Sequence, residues 1–153
     1  MRVSFDFDDT LDREPVQKYA AELVARGIEV WIVTSRYDLE NYIKYNFTSL
    51  YKGELANKDL FDLAKELGIP EDKIHFTNMM NKWRFFKENN FIWHLDNDWE
   101  ECRLIDRKTK TRGIIYFHTP NWKGKCEKSI KRFIQKNHNL EDDLSTPSKI
   151  SSE

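Results

Sequence analysis

The run Phe5-Asp6-Phe7-Asp8-Asp9-Thr10 sets three carboxyl groups and a hydroxyl side by side, directly after an apolar stretch that begins near Val3. Asp6 and Asp8 are two positions apart, so a regular strand would turn both to one face. A chain that loosens after Phe7 would let them flank one divalent cation. Burying that many carboxylates without a cation is costly, and paired oxygen ligands suit magnesium. Phosphate esters resist attack because nucleophile and target are both anionic. A catalyst therefore needs a cation to neutralise charge and a group held in line with the leaving oxygen. Asp6 is the candidate for that group, bonding to phosphorus to give an aspartyl-phosphate. Asp8 is the candidate acid and base, protonating the leaving alcohol and then taking a proton from the hydrolytic water. Asp9 reads as a capping or solvated acid.

Such a constellation needs a frame, and the sequence supplies one by alternation. Short apolar runs at residues 2–7, 29–34, 73–77, 91–95 and 113–117 are rich in β-branched or aromatic residues and bounded by charged or turn-forming ones, as strands are. Helical segments separate them. The expected fold class is therefore α/β: a Rossmann-like three-layer sandwich with a parallel five-stranded sheet and helices on both faces. In an open sheet of this kind the carboxyl ends of the strands form the ligand crevice, and the acids after Phe5 fall at one of those ends.

The connecting segments carry their own punctuation. Pro15, Val16, Tyr19, Ala20, Leu23 and Val24 are spaced for one helix that Gly27 stops. A second helix is expected over residues 38–45, followed by a less regular aromatic stretch to about residue 55. A third has Asn57 as its cap, Leu60, Phe61, Leu63, Ala64 and Leu67 as its inner face and Gly68 at its end, with residues 69–72 as a turn. Short helices are expected over residues 82–87 and 99–105, and an amphipathic one over 126–136 with Ile130, Phe133 and Ile134 on one side. From His138 onward acids, Ser, Thr and Pro dominate without apolar periodicity. The expected organisation is one domain over residues 1–137 and a disordered tail over 138–153.

Composition narrows the class further. A length of 153 residues suits one domain, and the 39% of apolar residues, 14% aromatic, exclude disorder throughout. A net charge of −1 argues against whole-protein attraction to nucleic acid or to an anionic membrane and leaves room for local patches. Lysines 123, 125, 128, 131 and 136 with Arg132 form one such basic stretch, which also fits a solvated helix face. Cys102 and Cys126 make no CxxC pair, so neither a zinc site nor a disulfide framework is indicated, and a reducing compartment fits. No apolar stretch approaches the roughly 20 residues that cross a bilayer. A soluble, unsecreted, cytoplasmic protein is the expectation.

The DxDxT pattern of Asp6, Asp8 and Thr10 after an apolar strand resembles the first motif of the haloacid-dehalogenase-like superfamily, in its phosphatase form, with the acid at position 8 as the discriminator. Trp31-Ile32-Val33-Thr34-Ser35-Arg36 is similar to the second motif, which implies that Thr34, with Ser35 beside it, binds the phosphate. Lys82 stands where the third-motif lysine does, ahead of the fourth strand, which implies a role in clamping phosphate. Leu95-Asp96-Asn97-Asp98 is similar to the fourth motif and implies Asp96 as a metal ligand with Asp6 and Asp8. The resemblance covers roughly residues 1–117, and four motifs in order are far more specific than any one. It implies Mg2+ as cofactor and a phosphomonoester as substrate.

Where relatives often carry adjacent acids, this chain has Asp96-Asn97-Asp98, so Asp98 either reaches the ion through water or caps the next helix. Lys58 is a rival to Lys82 but precedes the third strand. Only 28 positions separate Asp6 from Thr34, which excludes a cap domain there, and residues 36–56 suffice for no more than a small lid built from Tyr37, Tyr42, Tyr45, Phe47 and Tyr51. A capless or minimally capped site admits a nucleotide, a polynucleotide end or a phosphoprotein, so nucleic acid is a candidate partner. Arg36 would touch substrate or form a surface ion pair, and His75, His94 and His118 read as satisfied or exposed histidines. Two alternatives are a receiver-like phosphoacceptor domain, which also gathers acids, a hydroxyl and a lysine around magnesium, and an inactive relative that serves as a binding module.

Overall fold

Strands β1 (Arg2–Phe5), β2 (Glu29–Thr34), β3 (Ile74–Phe76), β4 (Trp93–Asp96) and β5 (Arg112–Ile115) form one parallel sheet in the order β3-β2-β1-β4-β5. The computed structural model describes residues 1–46 and 55–145. Within them the strands alternate with helices α1 (Glu14–Ala25), α2 (Leu39–Asn46), α3 (Lys58–Leu67), α4 (Trp83–Glu88), α5 (Trp99–Lys108) and α6 (Trp122–Ser145). This is a Rossmann-like α/β fold. The chain lays β2 and β3 to one side of β1 and then returns to lay β4 and β5 on the other. Its direction thus reverses between β1 and β4, where open sheets hold their ligands.

Side-chain alternation along the strands divides the interior into two layers. Val3, Phe5, Val30, Ile32, Trp93 and Leu95 point to one face, where Val16, Tyr19, Ala20 and Leu23 of α1, Leu60 and Ala64 of α3 and Ile130 of α6 cover them. Trp31 and Val33 point to the other face and meet Trp83, Phe85, Phe86 and Phe91 around α4 and Ile105 of α5. Each fully buried Phe, Leu or Ile contributes about 1.5–3 kcal/mol. The intervening positions of β1 and β4 on this second face are polar: Ser4 and His94 are both buried. Asp6 and Asp96, each two residues further on, continue that polar file.

Two glycines hold the helices against this frame. Gly68 ends α3 at φ 80°, a left-handed conformation that favours glycine. Gly113 on β5 has no alternative for a different reason, because a Cβ there would lie 2.3 Å from the Cys102 carbonyl oxygen of α5.

The elements match the sequence expectation in kind and order, with shifted ends. β2 spans residues 29–34 as expected, whereas β1 stops at Phe5 instead of reaching Phe7. The chain there enters a π-type turn, Phe7–Leu11, in which Asp8 is extended (φ −67°, ψ 129°) and Asp9 is left-handed (φ 58°, ψ 18°). Asn57 precedes α3 but its side chain makes no capping bond; it donates to the Tyr37 carbonyl oxygen at 2.9 Å. The largest departure is at the C-terminus. The disorder expected from residue 138 does not hold for residues 138–145, where α6 continues to Ser145. Its outer turns are exposed, carry the i,i+4 pair His138–Asp142 (3.6 Å) and lack apolar packing. The remainder of the expected tail, residues 146–153, lies outside the described residues. Of the expected lid, Tyr37 and Tyr45 are in ring contact (5.5 Å), while Phe47 and Tyr51 lie outside the described residues. No helix among the described residues is long and apolar enough to cross a membrane.

Candidate active site

Asp6 leaves the end of β1 still paired to its neighbour, its N–H donating to the Leu95 carbonyl oxygen at 2.8 Å. That bond sets its carboxylate beside that of Asp96, the last residue of β4. Lys82, the residue before α4, reaches in from the second face, and its Nζ donates to Asp6 Oδ1 at 2.7 Å and to Asp96 Oδ2 at 2.6 Å. All three side chains are almost wholly withdrawn from solvent. Glu101 of α5 fixes the approach of the lysine by accepting from its main-chain N–H at 2.9 Å.

Behind this triad the polar file closes. His94 Nε2 lies 2.7 Å from Asp96 Oδ2, and His94 Nδ1 lies 2.8 Å from Ser4 Oγ. Burial, outweighing the pull of Asp96, pushes the imidazole down to about 4, so it is neutral at physiological pH. Burial alone would raise Asp96, but the Lys82 ammonium and the His94 hydrogen bond hold it well below the usual carboxylate range. An ionised Asp96 only accepts, which assigns the ring proton to Nε2 and makes Nδ1 the acceptor of the Ser4 hydroxyl proton. Asp6 moves the other way: burial, reinforced by Asp96 and Asp8 and opposed by Lys82, raises it above the usual range. Lys82 is raised in spite of its burial because both carboxylates face it. One ammonium between two buried carboxylates leaves one negative charge without a partner, and the carboxylates titrate as a pair.

The expected third carboxylate is elsewhere. Asp8 turns outward, its side chain 52% exposed, and forms a two-pronged pair with Arg36 (2.7 and 2.9 Å). Arg36 also holds Asp59 of α3 at 2.8 and 3.0 Å and lies over the Phe7 ring at 4.8 Å. The hydrogen bonds it donates to Asp59 and Asp8 raise the guanidinium further above its ordinary range. The extended Asp8 and left-handed Asp9 carry the chain away from the strand direction, so the i,i+2 alternation that aligned Ser4 with Asp6 does not extend to Asp8. Among the described residues no group of three or more His, Cys, Asp or Glu side chains is arranged to hold a metal ion.

A different donor set assembles instead. With its amide nitrogen inward, Asn97 donates to Asp6 Oδ2 (2.9 Å), Asp96 Oδ1 (3.2 Å) and the main-chain oxygen of Asp8 (3.3 Å). Two carboxylate oxygens and one carbonyl oxygen from separate strand ends thus face one small polar group. Oxygen donors of this kind fit magnesium, with Asp8 contributing its carbonyl rather than its carboxylate, and Asn97 could turn its own oxygen toward a cation. Asp98 is not in this set. It caps α5, accepting from the N–H groups of Glu100 (2.9 Å) and Glu101 (3.3 Å).

Thr34 ends β2 buried, its Oγ1 accepting from the Arg36 N–H at 3.2 Å, with half-buried Ser35 next to it. Thr10 folds back toward Asp6 Oδ2 at 3.4 Å, and Asp9 pairs with Arg13 at the surface (2.6 Å). Sequence reasoning thus brought Asp6, Lys82 and Asp96 together. It missed the parts played by Ser4, His94, Asn97 and Asp59. The i,i+2 spacing of Ser4–Asp6 and His94–Asp96 was the available signal for the first two.

Comparison with protein-family models, with curated proteins and with solved structures finds no match for this chain.

Proposed function

We propose that this protein is a magnesium-dependent phosphomonoester hydrolase of the haloacid-dehalogenase-like kind, capless or minimally capped, acting through an aspartyl-phosphate on Asp6. The observation that carries the proposal is the meeting of Asp6, Asp96 and Lys82 at the switch point between β1 and β4, with Asp6 Oδ2 turned toward the oxygen donor set at Asn97. Residues far apart in sequence would have no reason to bury two carboxylates and an ammonium together for stability, since breaking even for such a cluster is the usual best.

Asp6, the Asp8 carbonyl and Asp96 would hold the ion, with Asn97 beside them. A bound Mg2+ supplies the missing positive charge and draws electron density from a phosphoryl oxygen. Lys82 opposes the burial that raises Asp6, orients its carboxylate, and would meet the phosphoryl group as it arrives. The Asp6 oxygen bonds to phosphorus as the ester P–O bond breaks, and the leaving alkoxide takes a proton from Asp8. Asp8 then removes a proton from the water that attacks the aspartyl-phosphate, releasing inorganic phosphate and restoring Asp6. To act as the acid Asp8 must part from Arg36 and take up a proton from solvent, and Arg36 retains Asp59 as its partner when it does. Thr34 and Ser35 would bind phosphate oxygens. A capless or minimally capped site of this kind would suit a nucleotide or the end of a nucleic acid better than a metabolite that must be enclosed. The receiver-like alternative gains nothing from the sheet, because receivers use the order 2-1-3-4-5 and this sheet is 3-2-1-4-5.

A panel of phosphomonoesters assayed with magnesium and with a chelator tests the proposal. Magnesium-dependent release of phosphate is expected, lost by on the order of a thousandfold or more in Asp6→Asn. No turnover of any ester, with Asp6→Asn indistinguishable from wild type in magnesium binding, would overturn it.

A further inference from the structure

Two adjoining clefts run along α4, outside the site just described. The larger, about 830 Å³, is lined by His75, Phe76, Trp83 and Phe85 among others, with Arg84 at its wall and Asn81, the neighbour of Lys82, at one end. His75 and Phe85 stack in it at 4.1 Å with their planes 16° apart. The smaller, about 380 Å³, is lined by Lys87, Asn90, Arg107, Lys108, Thr109 and Lys110 and contains no carboxylate. Lys87 lines both. Asn81 lies beyond the carboxyl end of β3, whereas Asn90 and Lys110 precede β4 and β5, so the surface follows α4 from the mouth of the candidate site to the opposite end of the sheet.

The charges here are uncompensated. Lys108, Arg84 and Lys87 surround the Trp83 ring at 4.3, 5.2 and 5.8 Å from its centroid. Among the described residues none of Arg84, Lys87, Lys108 and Lys110 is in an ion pair. Glu88 is the one acid on the wall of the larger cleft. The basic stretch on α6 differs in that its lysines line neither of these clefts, and its first, Lys123, is paired with Glu22. Like charges gathered around a cleft raise one another's energy and are relieved by a polyanion. Aromatic rings beside them offer faces on which bases stack.

The geometry points to a binding surface for single-stranded nucleic acid along α4, with bases entering the aromatic cleft and phosphates meeting Arg84, Lys87, Lys108 and Lys110. The surface stands apart from Asp6, although its upper end opens beside Lys82. A strand bound there would lie with one end at the proposed hydrolytic site, so the inference deepens that proposal without needing it.

Fluorescence anisotropy of a labelled oligothymidylate of about ten nucleotides with the full chain tests it. Binding is expected to weaken with salt, with a log–log slope of about −0.7 for each phosphate contact. The double variant Lys87→Glu/Lys108→Glu should bind about tenfold or more weakly and flatten that slope by about 1.4. It should keep its far-ultraviolet circular dichroism and its turnover of a small phosphomonoester. Lys128→Glu/Lys131→Glu on α6 and Asp6→Asn should bind as wild type. The inference is overturned if the α4–α5 reversal leaves affinity unchanged, if the α6 reversal removes as much, or if a mononucleotide competes as well as the polymer. Surface-dependent binding without hydrolysis would sink the hydrolase proposal alone. Hydrolysis without surface-dependent binding would sink this one alone.

Discussion

Lys82 and Arg36 each stand between two carboxylates, yet the two clusters obey different physics. Lys82, Asp6 and Asp96 are 3%, 8% and 1% exposed, and their charges act through a medium of low effective dielectric. Arg36, Asp8 and Asp59 are 22%, 52% and 60% exposed, so solvent screens their charges far more. Asp6 and Asp8 are two residues apart, and the turn between them delivers one to each cluster. Position in the sequence therefore says little about how freely a carboxylate moves, and burial says most of it. A fixed nucleophile beside a releasable acid is the division of labour that the proposed reaction asks for.

The sharpest way to break this comparison is Lys82→Ala, which strands two buried carboxylates. Urea denaturation should show a loss of about 3–5 kcal/mol, and a loss under 1 kcal/mol would mean that water reaches the cluster freely. Ser4→Ala probes the same cluster one bond further back. Removing the donor to His94 Nδ1 leaves a buried acceptor unmatched, and a cost of about 1–3 kcal/mol is expected by the same measurement. Arg36→Ala should cost about 1 kcal/mol, and the difference from wild type should shrink in 1 M salt, whereas the Lys82→Ala deficit should persist.

The smallest effect is a pH dependence. Asp59 is depressed below its ordinary 3.8, chiefly by its hydrogen bond to Arg36. A depressed carboxyl stabilises the fold fully above 3.8, and that contribution is lost as pH falls through the lower folded value. Asp59→Asn should therefore melt a few degrees below wild type at neutral pH, and the gap should close on acidification below about pH 4. An unchanged acid limb would show that the Arg36–Asp59 contact is not maintained in solution.

Much of the fold was legible because local signals agreed. The apolar run from Glu29 to Thr34 is flanked by Gly27 and by a polar Ser35-Arg36, so pattern and punctuation mark the same strand. Gly68 marked the end of α3 for the same reason. Asp6, Lys82 and Asp96 were legible as a set through the resemblance of their segments to motifs in a fixed order; in the structure each stands at the end or the start of an element, where a parallel sheet brings such positions together. The outward turn of Asp8 was not legible. It depends on a left-handed Asp9 and on Arg36 and Asp59, whose meeting is a matter of tertiary distance. Asn97 was passed over because an amide between two acids reads as a departure from a motif until the three oxygens it touches are seen. The outer turns of α6 read as tail because they lack a buried stripe and because Asn, Asp and Ser, which are weak helix formers, dominate them.

The polar file of Ser4, Asp6, His94 and Asp96 has a consequence for how the molecule opens. It occupies positions that would otherwise carry aliphatic side chains, so the layer of α4 and α5 is anchored by fewer buried apolar groups than the layer of α1, α3 and α6. Amide protons of α4 should accordingly exchange with solvent sooner than those of α1. The lysine at the head of α4 then serves as a latch, and whatever neutralises the strand-end carboxylates also decides how tightly that flank of the protein is shut.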